Sequence, residues 1–195
     1  MPKTLNVFLA IGFLFGLQQT PAREAGNWEK ITDVSPDKKL GVRVICESEP
    51  DDPKNIDPGS IAGVELVALP SKKRVMELSR NYDGAPAKIF WSPDSKWFAL
   101  AVSEGPRVTV TSVFHREGNE FEKLDTEDLS VSSRGDARNQ YIEPIRWVKS
   151  GALLLQQFTI FRGGSGDSTI QFTAVFDTSG KFRIIGKKKV RSKAE

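Results

Sequence analysis

The strongest constraint on this chain is a strand–turn–strand motif repeated at a fixed interval. Its clearest copy runs from 88 to 102. A short apolar-rich run ends at Trp91, Ser92-Pro93-Asp94-Ser95 follows, and WFALAV occupies 97–102. Proline presets φ for a turn, and Asp and Ser bond neighbouring backbone amides. The run 97–102 is apolar at every position, as a strand buried on both faces must be. Val34, Trp91 and Val148 hold the same place before the turn, each 57 residues from the next. Ser35-Pro36-Asp37-Lys38 repeats the turn upstream, and Lys149-Ser150-Gly151 replaces it downstream. A period of that length, kept twice, outweighs any single strand assignment.

Around each copy the hydrophobic pattern predicts four short strands. The first group is 28–34, 39–47, 61–69 and 74–79. The second is 87–91, 97–102, 107–115 and 120–124. The third is 141–148, 152–161, 168–177 and 181–185. Val42, Val44 and Cys46 fall on one strand face. In 107–115, Val108, Val110 and Phe114 alternate with Thr109 and Thr111. Polar segments at 48–60 and 125–140 read as long loops, the second as a mobile one. The expected fold is all-β: three four-stranded antiparallel blade-like sheets over about 27–80, 86–125 and 141–186, a partial β-propeller.

The Ser-Pro-Asp turn followed by an apolar strand resembles the blade motif of TolB-type and related WD40-like β-propeller repeats. Two of the three copies carry it; the third departs at Lys149-Ser150-Gly151. The resemblance implies that the turn joins the innermost strand to the next, and that the apolar strand packs between blades. It names no chemistry, because propellers host unrelated functions. Closed propellers have about four blades or more, and this chain supplies three. An open partial propeller, a ring closed by two chains and a compact sandwich all remain compatible with that count. The loops at 48–60 and 125–140 are candidates to cover an open end.

Ahead of the domain (23–186), residues 1–22 have the order of a secretory signal peptide: basic Lys3, an apolar run over 5–17, then a polar, small-residue segment ending at Ala22. The apolar run is short for a membrane span. Export to the periplasm or the medium is therefore expected. Cys46 is the one cysteine, which excludes an internal disulfide and fits a small buried residue. The basic tail, 187–195, holds five of the 28 Lys and Arg residues and one of the 25 Asp and Glu residues. The remainder carries 23 against 24. A near-neutral body argues against a nucleic-acid partner.

No catalytic motif emerges. His115 is the one histidine, and no Gly-x-Ser-x-Gly elbow accompanies it. Its place beside Arg116 and Glu117 reads as a surface or turn position. With one Cys and one His, a zinc site lacks ligands, and no cofactor is expected. Two loops carry the candidate binding residues: Asp51, Asp52 and Asp57 in the acidic loop, and Arg162 and Asp167 around a Gly-rich one. The acidic loop lacks EF-hand spacing, and the Gly-rich loop lacks the lysine and helix of a phosphate loop. Both join the second and third strands of their repeats, so both should emerge on one rim. By the TolB-type resemblance, the expected role is a non-enzymatic protein-binding or scaffold module, with another cell-envelope protein as partner. A hydrolase with an acidic site on the rim, and a homodimer of half-propellers, are the competing readings.

Overall fold

The computed structural model describes residues 27–80, 88–118, 120–126 and 129–190. The expected signal peptide, 1–22, and residues 191–195 lie outside them. Twelve strands follow one another: β1 (Trp28–Thr32), β2 (Leu40–Cys46), β3 (Ile61–Ala68), β4 (Arg74–Arg80), β5 (Ile89–Trp91), β6 (Trp97–Ser103), β7 (Val108–Glu117), β8 (Glu120–Lys123), β9 (Ala137–Lys149), β10 (Ala152–Phe161), β11 (Asp167–Phe176) and β12 (Phe182–Val190). Short 3-10 turns at Pro58–Ser60 and Arg162–Gly164 are the remaining elements among the described residues.

The strands form two sheets where three were expected. Strands β1 to β4 make a four-stranded antiparallel sheet in sequence order. The other eight make a mixed sheet, ordered β12-β11-β10-β9-β7-β6-β5, with β8 also on β7. The join is narrow: β7 and β9 run parallel and pair only through Val108–Gln140 and Thr109–Tyr141. From there β9 crosses obliquely, so that the Trp147 indole reaches the carbonyl of Phe90 on β5 at 2.7 Å. The strands do not close into a ring.

Because the join is narrow, the eight-stranded sheet folds on itself, and three units (β1–β4, β5–β8, β9–β12) pack face to face. Strand β6 shows why. Its even-numbered Phe98 and Leu100 enter a core with Leu40, Val42, Val44 and Cys46 of β2 and Val64 and Leu66 of β3. Its odd-numbered Trp97 and Ala99 enter a second core with Leu153 and Leu155 of β10 and Phe172 and Ala174 of β11. Both faces of this strand are buried, which is why its sequence shows no polar alternation. Phe98 is fully buried and stacks on Phe114 with centroids 4.5 Å apart.

Three local expectations are corrected. The connection after β8 is docked: Leu129 and Val131 are buried in the second core. The Gln157 side chain, itself buried, accepts from the Val131 amide and donates to its carbonyl, both at 2.9 Å. His115 is 8% exposed and lies against the Trp97 ring, 4.1 Å between centroids, because Trp97 is its cross-strand partner. The last strand also runs beyond 185: Lys187, Lys188 and Lys189 stand on β12, paired to β11, and are strand rather than tail.

Candidate functional site

The turns at one end of the units are a bonded row. In the first, the Ser35 hydroxyl donates to Asp37 Oδ1 at 2.6 Å and accepts from the Leu40 amide, while the Lys39 amide donates to Asp37 Oδ1. In the second, Ser92 donates to Asp94 Oδ1 at 2.6 Å and accepts from the Trp97 amide, and the Lys96 amide donates to Asp94 Oδ1. Every atom of one network has its counterpart 57 residues on. The left-handed φ of Lys38 (59°) recurs at Ser95 (58°). The third turn is a tight hairpin with Gly151 at φ 67°.

The turns also bond sideways. The Asp37 amide donates to the Ser95 hydroxyl at 3.0 Å, and the Ser150 hydroxyl donates to Asp94 Oδ2 at 2.6 Å. One strand layer in, the Trp91 indole donates to the Asp33 carbonyl at 2.7 Å, as Trp147 does to Phe90. Burial pushes the Asp37 carboxyl up. The Ser35 hydroxyl, the Lys39 amide and the Arg116 charge, 3.6 Å away, outweigh it and hold Asp37 below the usual range. Asp94 is likewise held low: hydrogen bonds from Ser150, Ser92 and Lys96 overcome its burial. At Asp33 burial wins over the Ile89 amide and the Lys88 charge, and its pKa is raised. These acids are spent on architecture.

Strands β2 and β10 run away from this row, so the loops holding the sequence candidates leave the opposite end. Asp51 is exposed. Asp52 Oδ1 accepts from the Lys54 amide at 2.9 Å, and Asp57 Oδ1 from the Gly59 amide at 3.0 Å. Ile56 packs on the first core and Lys30 donates to the Pro53 carbonyl, so this loop is pinned at two points. Arg162 pairs with Asp136 at 3.2 Å, and its amide donates to the Asp136 carbonyl. Asp167 opens β11 opposite Ile160.

The Gly-rich loop overhangs a hollow of about 360 Å3 on the face of the third unit turned away from the second. Phe158, Ile160 and Phe161 form its apolar floor, and Arg138 and Asp167 its polar rim. Tyr141 stacks beside Phe158, 6.1 Å between centroids at 19°. Gly163 and Gly164 have φ near 70° with nothing where a Cβ would point, so glycine serves the turn and not a close backbone approach. The structure thus sets Arg162 and Asp167 beside one hollow, while Asp51, Asp52 and Asp57 stay with their own loop. Arg138, Phe158 and Ile160 were not singled out from sequence. Only the alternation of β10 hinted at an outward apolar row, at positions 154, 158 and 160.

A larger hollow, about 930 Å3, lies between the end of β8 and the β11–β12 turn. Glu122, Lys123, Asp125, Ser179 and Lys181 line it with mixed charge. At its border Asp177 is lowered chiefly by the Ser179 hydroxyl, with the Lys181 and Ser179 amides adding to it. No sequence signal joins those two segments.

Among the described residues no three His, Cys, Asp or Glu side chains are grouped to hold a metal ion. None of their helices is long and apolar enough to cross a membrane. Comparison with protein-family models and with curated protein sequences finds no match for this chain.

Proposed function

We propose that this chain is an exported, non-enzymatic binding module of the propeller type, whose three blade-like units form an open stack. Its partner in this reading is another protein of the cell envelope. The type rests on the turn network repeated 57 residues apart and bonded sideways from unit to unit. The binding role rests on one observation above others, the hollow beneath the Gly-rich loop. An aromatic and aliphatic floor with a charged rim is the composition of a protein contact. The test is a photoreactive side chain placed at Gly164 and, separately, at Asp52, in the full chain expressed in cells that export it. The expected result is a discrete covalent adduct with one envelope protein from position 164. It should appear on a chain whose N-terminus has been trimmed near Ala22. Failure of both positions to give any adduct would refute binding at the Gly-rich hollow, and an untrimmed cytosolic chain would refute export.

A further inference from the structure

The outer strand β12 combines three features that no core requirement explains. It has β11 on one side and, among the described residues, no strand on the other. It carries two of the exposed large apolar residues, Ile184 (37%) and Ile185 (57%), side by side. It then carries Lys187, Lys188 and Lys189, all exposed, with no carboxylate at ion-pair distance among the described residues.

The geometry of the strand adds to this. Thr173 pairs with Gly186 and Ala174 with Ile184, so Ile185 is the extra residue of a β-bulge. A bulge re-aims the side chain it frees. Beside it lies a hollow of about 470 Å3 bordered by Ser130, Ser132, Ile184, Ile185 and Lys187. Lys187 and Lys189 stand opposite Phe172 and Ile170, on one face of the sheet, and Lys188 stands opposite Gln171 on the other. Positive charge therefore flanks the open edge on both faces.

We propose that β12 accepts an extended acidic segment of a partner protein as an added strand. The backbone of β12 supplies unpaired amides and carbonyls for the ladder. Ile184 and Ile185 supply an apolar anchor, and the three lysines face carboxylates on both sides of the incoming strand. The charge selects the occupant. A second copy adding its own β12, which carries Arg183 and three lysines and no carboxylate, would bring like charge to this edge in any register, which is unfavourable across a strand pair. Lysines on an edge also discourage casual pairing, so an occupant must bring negative charge to be accepted. This deepens the binding-module reading and rests on it for the partner's being a protein, but it uses a surface separate from the Gly-rich hollow.

The probe is a fluorescein-labelled nine-residue peptide, four Glu followed by Val-Thr-Val-Thr-Val, whose successive Glu side chains point to alternate faces of an added strand. It is titrated into the full chain and followed by anisotropy and by amide NMR shifts. The expected result is binding with shifts confined to 182–190 and the facing residues 130–132. Affinity should fall about tenfold between 0.1 and 0.5 M NaCl, as screening predicts. The same peptide N-methylated at alternate residues should not bind, because it cannot complete the ladder. K187Q/K189Q should weaken binding about tenfold and I185S several-fold, with unchanged thermal midpoints, since all three side chains are exposed. Equal binding of the N-methylated peptide or of oligoglutamate would overturn strand addition. So would shifts at 158–167, or binding of anionic phosphatidylserine vesicles with none of the peptide. Shifts at 158–167 would leave the binding module standing at its other surface. Binding at β12 with no envelope adduct from positions 164 and 52 would remove the Gly-rich hollow as the binding surface and leave strand addition.

Discussion

Replacing Gln157 by leucine tests how the third unit is covered. The Gln157 side chain is fully buried in mid-β10, between Ile142 of β9 and Ile170 of β11. Its amide acts as one residue of strand toward Val131, with Oε1 taking the Val131 N–H and Nε2 giving to its carbonyl. A further bond to Thr159 Oγ1, 3.3 Å, fixes the amide orientation. In the leucine variant the chain has two ways to respond. If residues 129–132 stay docked, two buried backbone groups lose their partners at about 1–3 kcal/mol each. If they lift into water, Leu129 and Val131 lose their burial, at about 1.5–3 kcal/mol per side chain. The cheaper response sets the loss. The extra apolar surface of leucine returns a fraction, so about 2–4 kcal/mol should remain. Urea unfolding measures it, and amide exchange at Val131 identifies the cause, because its protection should fall more than that of the β10 amides. A loss below about 0.5 kcal/mol, with Val131 still protected, would show that the connection is held by something other than this amide.

Three further outcomes follow from the junctions between units. Trp91→Phe and Trp147→Phe each remove one indole bond to the preceding unit, and each should cost about 1 kcal/mol in urea unfolding. The two effects should couple rather than add, since the carbonyl that Trp147 bonds belongs to Phe90, directly before Trp91. Asp37 and Asp94 titrate below their unfolded value of 3.8. The stability they contribute is therefore complete above that pH and is lost as pH falls through their folded values. Asp37→Asn with Asp94→Asn should flatten that acid limb of the unfolding curve. Asp33, whose pKa is raised, acts with the opposite sign: it detracts from stability at neutral pH and the penalty shrinks on acidification. Gly151→Ala should cost about 1–3 kcal/mol, read as a fall in thermal midpoint. The residue has φ 67°, and an added Cβ would sit 3.1 Å from the Phe176 carbonyl oxygen.

The strands were legible because burial here is local and periodic. Leu40, Val42, Val44 and Cys46 share one face in sequence and one core in space. The turn was legible because Ser, Pro and Asp act within five residues of one another. The merged sheet was not, since it depends on two residue pairs between β7 and β9, and nothing at Val108 or Gln140 announces them. His115 was read from its neighbours Arg116 and Glu117, whereas its environment is set by Trp97 across the ladder. The connection after β8 looked polar because two apolar residues, Leu129 and Val131, make no periodic pattern. Their docking depends on Gln157, 26 residues away from Val131. The Gly-rich loop borders a hollow, but the floor of that hollow comes from the outward residues of β10, and its Arg138 from β9. Proximity of that kind has no signature along the chain.

The two ends of the stack are built differently, which bears on where anything could be added. Units two and three each send an indole back to the unit before them. The first-unit residues at those two places are Val34, matching Trp91, and Asp33, matching Trp147, and neither carries an N–H side chain to send. The outward face of that unit carries an ion ladder instead. Arg43 bonds Glu65 and lies 3.5 Å from Glu29, and Arg74 lies 3.4 Å from Glu65. Arg43 and Glu65 keep only 18% and 12% of their side-chain surface in water. A further sheet laid over them would remove the rest, and desolvating paired charges can cost more than their attraction returns. The outward face of the third unit presents Leu154, Phe158, Ile160 and Val175, half-buried, with no comparable ladder. Two copies closing a ring head to tail would have to set this face against the charged one, with no indole contact to guide them. Covering the first unit is thus the costlier addition, and addition is least costly at the third, where both the Gly-rich hollow and the open edge of β12 lie.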